Sequence, residues 1–331
     1  MKKKLLELLC CPKCPGELNC ISSQEEAEEI LEGRLECAGC GQVYHIEAGI
    51  PRFVDKNNYS SSFGYQWNKF KAEQIDSLNG TNLSADRFYS ETGWTSEQLK
   101  GKWVLDAGCG AGRFLDVVSQ NECEVVGIDI SSAIDAAREN LKGKENVHFI
   151  QASIYELPFR KGTFDKCYCI GVVQHTPDPH KTLRVLSEQV KEGGDLAVTI
   201  YERRSYTKLN TKYLIRPLTK KISNQKLLKI IRSSMPILFP ITNFLFRLPG
   251  IGKFFNFTIP VANYVHEKKL SDEQRYNWTV LDTFDMLSPQ FDQPQSESEV
   301  RAVLTDCEIK DIKRLPNHGL NLIGTRKNGE R

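Results

Sequence analysis

Two pairs of cysteines near the start of the chain, Cys11-Pro-Lys-Cys14 and Cys37-Ala-Gly-Cys40, have the spacing of metal-binding knuckles. Each pair presents two thiolates from one tight turn, and Gly16 and Gly41 free the backbone behind them. Two such turns make a closed tetrahedral site for zinc, structural because no position stays open for water. Cys10 and Cys20 read as neighbours of that site, not ligands. A second constellation is Asp106-Ala-Gly108-Cys-Gly110-Ala-Gly112, followed by Asp129. The glycines let a strand turn sharply into a helix and let backbone amides approach a ligand. A carboxylate ending the next strand can accept hydrogen bonds from both ribose hydroxyls. A dinucleotide site would want glycine at 113, where this chain has Arg113, and Asp106 would repel a pyrophosphate. That carboxylate suits a sulfonium or an amino group instead, which favours S-adenosylmethionine over a nicotinamide dinucleotide.

These residues need a scaffold, and the apolar pattern supplies one. Trp103 to Ala107, Glu124 to Ile130, Val147 to Gln151, Phe164 to Ile170 and Asp195 to Tyr201 read as strands. Between them lie helical stretches, one capped by Ser131 and one started by Asp178-Pro179 and running to about Val190. Alternating strand and helix predicts an α/β, doubly wound, mostly parallel sheet. Residues 171 to 178 then follow the fourth strand of this core, at the sheet end where such folds bind ligands. Gln174 and His175 are therefore the candidates to face a methyl acceptor. His175 can serve as a general base, because imidazole titrates near neutrality, or can simply organise its loop. Ser296 with Glu299 forms a capping box, and Glu308 to Leu315 with Leu320 to Thr325 reads as a closing hairpin.

Two resemblances follow from longer stretches. Leu-Leu-Glu-Leu-Leu-Cys-Cys-Pro-Lys-Cys and Leu-Glu-Cys-Ala-Gly-Cys-Gly-Gln-Val-Tyr-His-Ile-Glu-Ala-Gly-Ile-Pro-Arg-Phe resemble the zinc-ribbon family of tRNA-methyltransferase activator subunits over residues 5 to 54. Tyr44-His45-Ile46 departs from that family's Tyr-Pro-Ile at a turn, not at a ligand. The resemblance implies a domain that packs on a catalytic partner and stabilises it. Val104-Leu-Asp-Ala-Gly-Cys-Gly-Ala-Gly-Arg-Phe, Val126-Gly-Ile-Asp-Ile-Ser, Leu157-Pro-Phe, Gly171-Val-Val-Gln-His-Thr-Pro-Asp-Pro and Lys191-Glu-Gly-Gly resemble, in order and spacing, the class I S-adenosylmethionine-dependent methyltransferases. The implied roles place the methionine moiety at Asp106, Gly108 and Gly110, the ribose at Asp129 and the adenine beneath Ile130, with Gly112 also in the cofactor set. Ser153, Ile154 and Gly171 complete the implied cofactor set. Ser153 stands where many relatives carry aspartate, so charge assistance toward the adenine amine is lost there. Tyr65, Gln66 and Trp67 lie in an aromatic-rich segment that forms a lid in related enzymes and is equally readable as packing between ribbon and core.

The chain is thus divided into a ribbon (1–56), an aromatic-rich cap segment (57–100) and a methyltransferase domain (101–331) with a basic, apolar insert at about 203–280. Net charge is only +2, but 14 Lys and Arg residues fall between 201 and 270 against Glu202 and Glu267 alone. Greasy and cationic residues interleave there, a composition suited to an anionic membrane surface, to an amphipathic phosphate-bearing substrate, or to a solvated cap over the core. Prolines 236, 240 and 249 interrupt its longest apolar run, so no membrane span is expected. Asp282, Asp285 and Ser288 follow within reach of an acceptor. Six of the 11 cysteines lie in the first forty residues, which reads as metal binding in a reducing compartment. The opening Lys-rich, leucine-rich stretch is broken by Glu7 and lacks a cleavage site, so a cytoplasmic protein is expected, peripheral at most to the inner membrane face.

The expected function is methyl transfer from S-adenosylmethionine to a small-molecule or lipid-like acceptor. An RNA acceptor is the alternative, since the ribbon family activates tRNA and rRNA enzymes. Against it, Gly-Val-Val-Gln-His-Thr stands where a motif suited to planar base nitrogens would follow the fourth strand. A non-catalytic cofactor-binding or docking protein is the second alternative.

Overall fold

The computed structural model describes residues 1–54, 61–70, 72–317 and 319–328. The proposed boundary between ribbon and cap segment, at residues 56 and 57, lies outside the described residues. Short runs such as Val104-Leu105 and Val125-Val126 form strands because successive side chains point to opposite faces and both faces are covered. Leu105, Val126, Ile150 and Cys167 pack into one apolar cluster, whereas Val104, Val125, Val147 and Tyr168 pack into another across the sheet.

Eleven strands make one continuous sheet. Four belong to the N-terminal part: β1 (Leu18–Glu26), β2 (Glu29–Cys37), β3 (Val43–Glu47) and β4 (Ile50–Arg52). Five parallel strands form the centre: β5 (Trp103–Ala107), β6 (Glu124–Asp129), β7 (Val147–Gln151), β8 (Phe164–Ile170) and β9 (Val190–Ile200). The hairpin β10 (Ile309–Arg314) and β11 (Leu320–Arg326) closes the far side, with β11 antiparallel to β9. The spatial order is β1-β2-β3-β4-β7-β6-β5-β8-β9-β11-β10. Strand order reverses between β5 and β8, and the crevice above their carboxyl ends is where such sheets take ligands.

The ribbon does not merely lean on the core: it extends the core's sheet. β4 runs parallel to β7 through the pair Arg52↔Gln151, and Phe53 N donates to Gln151 O at 2.8 Å. Around that seam Arg52 Nη2 meets Asp135 at 2.7 Å and Arg138 meets Glu29 at 2.6 Å. Leu5, Leu9, Leu35, Ile46 and Phe53 join Val126, Ile150 and Phe159 in a single buried cluster.

Several elements differ from the sequence expectation. β9 begins at Val190, directly after the helix Pro179–Gln189, instead of at Asp195. Gly193 and Gly194 lie inside the strand across a register shift opposite β8. A Cβ on Gly194 would come within 2.6 Å of Asp165 O, so only glycine lets the two backbones approach. The helix after β6 starts at Ala133 with Ser132 as its cap residue, one position later than expected, while Ser131 Oγ accepts from Ala133 N. The basic insert is helical, with segments Thr211–Thr219, Asn224–Leu245 and Gly252–Thr258 followed by Asp272–Leu287. Pro236 and Pro240 do not break the second of these, since their rings sit on its outer side. Leu227, Leu228, Ile231 and Met235 on its inner face pack against Val280, Leu281 and Phe284, so tertiary burial offsets the lost backbone bonds. Among the described residues no helix is long and apolar enough to cross a membrane. The capping boxes of Ser271 with Gln274 and of Ser296 with Glu299 are both formed.

Candidate functional site

The glycine-rich turn leaves β5 above the switch point. Gly108, Gly110 and Gly112 all have positive φ (90°, 53° and 91°), a conformation that side chains oppose. Gly108 N and Cys109 N both donate to Ile128 O at 2.9 Å, tying the turn to the end of β6. Gly110 N donates to Asp129 Oδ2 at 2.9 Å, while Ser131 N and Oγ donate to Asp129 Oδ1 at 2.8 and 2.7 Å. The ribose-side carboxylate is thereby held rigidly beside the turn.

A cavity of about 450 Å³ opens over this turn. Gly108, Gly110, Asp129, Ile130, Ile154, Gly171 and His175 line it, which brings together seven of the residues expected from sequence. Asp106 is not among the lining residues; it is 2 % exposed, and its Oδ2 has no hydrogen-bond partner among the described residues. Burial pushes this carboxyl up to about 8, opposed by the Tyr168 hydroxyl and reinforced by the Asp129 charge. An orphaned buried carboxyl beneath a glycine turn fits the cationic methionine end of S-adenosylmethionine.

Other expected residues do not line the cavity either, among them Gln66, which is wholly buried. Gly112 does not line the cavity; a Cβ there would meet Leu141 and Ala137, so its smallness serves helix packing. Ser153 Oγ accepts from Tyr155 N at 3.2 Å and shapes its own turn, away from the cavity wall. Gln174 is wholly buried and its Nε2 donates to Gly171 O at 2.7 Å, so it braces the loop and does not face an acceptor. Ser288 is buried behind the cavity as well.

His175 is better placed. Its Nδ1 lies 2.9 Å from Phe291 O, an oxygen that can only accept, so Nδ1 carries the hydrogen. Nε2 then carries the lone pair, and it has no partner among the described residues. Burial holds the imidazole below its usual range, which keeps it neutral and basic near pH 7. Phe63 and Tyr201 flank the ring at 5.3 and 5.4 Å between centroids.

Other lining residues carried no local signal. Arg113, noted only as a departure from a dinucleotide motif, donates to Gln74 and Ser84 and lies between the rings of Phe114 and Trp278. Arg87, Lys212 and Tyr264 also line the cavity, and Tyr264 OH bonds to Asp282. Asp282 and Asp285 do reach it, and burial raises each to about 6. Trp67 lies over Gly110, with its indole nitrogen 3.1 Å from where a Cβ would stand, so the segment before the core does cover the turn. Tyr65 instead packs on Phe284.

In the ribbon, the Sγ atoms of Cys11, Cys14, Cys37 and Cys40 all lie within 4.8 Å of one another. Cys11 and Cys40 are 3.7 Å apart and Cys14 and Cys37 3.3 Å. A zinc tetrahedron with bonds of about 2.3 Å has edges of about 3.8 Å, so the donor set fits that ion. Tyr44 OH, 3.3 Å from Cys11 Sγ, buttresses one ligand.

Strand order, the glycine turn and Asp129 define a class I methyltransferase fold of the S-adenosylmethionine-dependent kind. In agreement, the methyltransferase-domain family profile matches residues 105–198, and the Trm112p-like protein profile matches residues 2–49. The chain carries a methyltransferase domain joined to a Trm112p-like ribbon. An uncharacterized protein of Synechococcus is 34 % identical over 110 residues, covering 31 % of this chain and 26 % of that one. A ubiquinone biosynthesis O-methyltransferase of Coxiella burnetii is 30 % identical over 128 residues (37 % and 55 %). A tRNA U34 carboxymethyltransferase of Psychromonas ingrahamii is 36 % identical over 105 residues (30 % and 32 %). The match therefore spans between about a quarter and just over half of these relatives.

Proposed function

We propose that this protein transfers a methyl group from S-adenosylmethionine to a small, amphipathic acceptor held beneath the helical insert, with a structural zinc in the ribbon. The observation that carries the reading is that one cavity of about 450 Å³ is lined both by the cofactor turn and by Tyr264, Asp282, Asp285 and Met286 of the insert and its following helix. Pockets of this size enclose small molecules, and the mixed aromatic and charged lining suits an acceptor with a polar reacting end. The relative named for ubiquinone biosynthesis is consistent with such a substrate. The free thiols among the described residues support a cytoplasmic setting.

When bound, S-adenosylmethionine supplies an electrophilic methyl group on a sulfonium. Asp106 neutralises the amino end, Asp129 holds the ribose, Ile130 and Ile154 cover the adenine, and Trp67 keeps water from the turn. His175 Nε2 takes the proton from the acceptor's hydroxyl or amine. His175→Asn keeps a donor for Phe291 O and removes the base. We expect it to lower kcat by about a hundredfold while the cofactor Kd stays within about twofold. Full turnover in that variant would reduce His175 to an organiser of its loop.

RNA is the second reading, favoured by the Trm112p-like ribbon and by the relative named for tRNA U34. Incubating the protein with methyl-labelled cofactor and host-cell extract separates the two. Label in the organic-soluble fraction supports the first reading, and label in RNA replaces it with the second. No transfer to any fraction favours a cofactor-binding protein without turnover.

A further inference from the structure

The insert carries a surface that methyl transfer does not require. Of the 14 large apolar side chains exposed among the described residues, 10 lie between Tyr206 and Phe254. Ile237 and Phe244 are each 67 % exposed, and Leu214 and Leu218 are 69 % and 70 % exposed. On the helix Asn224–Leu245, Lys226, Ile230, Ile237, Ile241 and Phe244 recur at spacings that place them within about 60° of arc. The opposite side of that helix, with Leu227, Leu228, Ile231 and Met235, is buried. Its outer stripe is therefore not spare core: it is a second apolar face left exposed among the described residues.

Charge indicates what covers this face. Residues 203–266 contain 12 Lys and Arg residues and no Asp or Glu. Arg203, Arg204, Lys212 and Arg216 pair with carboxylates of the fold, Lys212 and Arg216 from inward-turned positions, and the other eight are exposed. Pairing two copies of such a face would set cation against cation, so self-association is disfavoured. Nucleic acid would use the cations but gain little from Leu209, Leu214, Leu218, Ile230, Ile237, Ile241 and Ile251, which cannot stack on bases as aromatic rings do. Exposed aliphatic side chains interleaved with lysine and arginine on short helices match the interface of an anionic bilayer, where the apolar groups enter the acyl boundary and the cations meet phosphates.

We propose that the outer face of the insert docks this protein peripherally on an anionic lipid membrane. The inference rests on this surface alone and is independent of what the enzyme methylates. The test is co-sedimentation of the full chain with vesicles of phosphatidylcholine alone or mixed with phosphatidylglycerol, at low and high salt. Binding is expected only to the mixed vesicles, weakened by salt. Ile237→Asp with Phe244→Asp should reduce it by at least about tenfold, because anionic groups replace the inserting side chains. Both positions are exposed, and an unchanged circular dichroism spectrum and cofactor Kd would show that the variant folds. Equal binding to both vesicle types, absence of binding, or full retention by the double variant would each overturn the proposal. So would a dimer, or binding to RNA, that the same double variant abolishes while vesicle binding persists.

Discussion

Replacing Asp106 by asparagine should weaken S-adenosylmethionine binding by about a hundredfold, because a hydrogen-bonded charge partner in a buried site is lost at little change of shape. The same residue sets a pH dependence. Its carboxyl is raised to about 8 in the free protein, so near neutrality it is mostly protonated. A cationic ligand needs it ionised, and binding then releases a proton. Affinity should rise close to tenfold per pH unit below about 8 and level off above it. The stability of the unliganded protein should move in the opposite direction. The folded form holds a proton that the unfolded form loses near pH 4, so this group's contribution falls as pH rises from about 4 to about 8. The asparagine variant should lose both slopes. Isothermal titration across pH, with thermal melts alongside, reads them together; a flat affinity profile would remove Asp106 from the cofactor site.

Stripping the ribbon of metal should have the second large effect. Four thiolates converging within 4.8 Å repel one another without a cation, and the knuckles have little apolar burial of their own. We expect purified protein to carry about one zinc per chain. Chelation or Cys37→Ser should lower Tm by about 5 °C or more and open the ribbon to protease. The loss should spread beyond residues 2–49, because Leu35, Ile46 and Phe53 share a buried cluster with Val126 and Ile150. Metal analysis and melting with and without chelator give the answer. Zinc-free protein whose melting ignores the chelator would leave the cysteines as ordinary thiols.

Both residue sets were legible in the sequence for a local reason. A Cys-x-x-Cys knuckle or a glycine turn followed by a strand-ending aspartate is specified within a few residues, and the sheet places such pieces predictably. Asp178 and Ser296 caps are equally local. What escaped depends on distance. Arg87 and Tyr264 meet the same cavity from positions far apart in the chain, and nothing near either announces it. Gln174 and His175 are neighbours, yet one turns into its loop and the other toward the cavity, a choice made by Gly171 O and Phe291 O.

The seam at Arg52 and Gln151 has a consequence for solubility. β4 covers the carboxyl end of β7 at the pair Arg52↔Gln151, and without it that end of a wholly buried strand would present unpaired backbone groups. Such a border recruits strands from other molecules and seeds aggregates. The ribbon moves the border outward to β1, whose Gln24, Glu25 and Glu26 are exposed and whose pairing with β2 slips twice. At the opposite border β10 carries Lys310, Asp311, Lys313 and Arg314 and a slip of its own. Charge and irregularity thus guard both margins, and loss of the proposed zinc is expected to show first as precipitation.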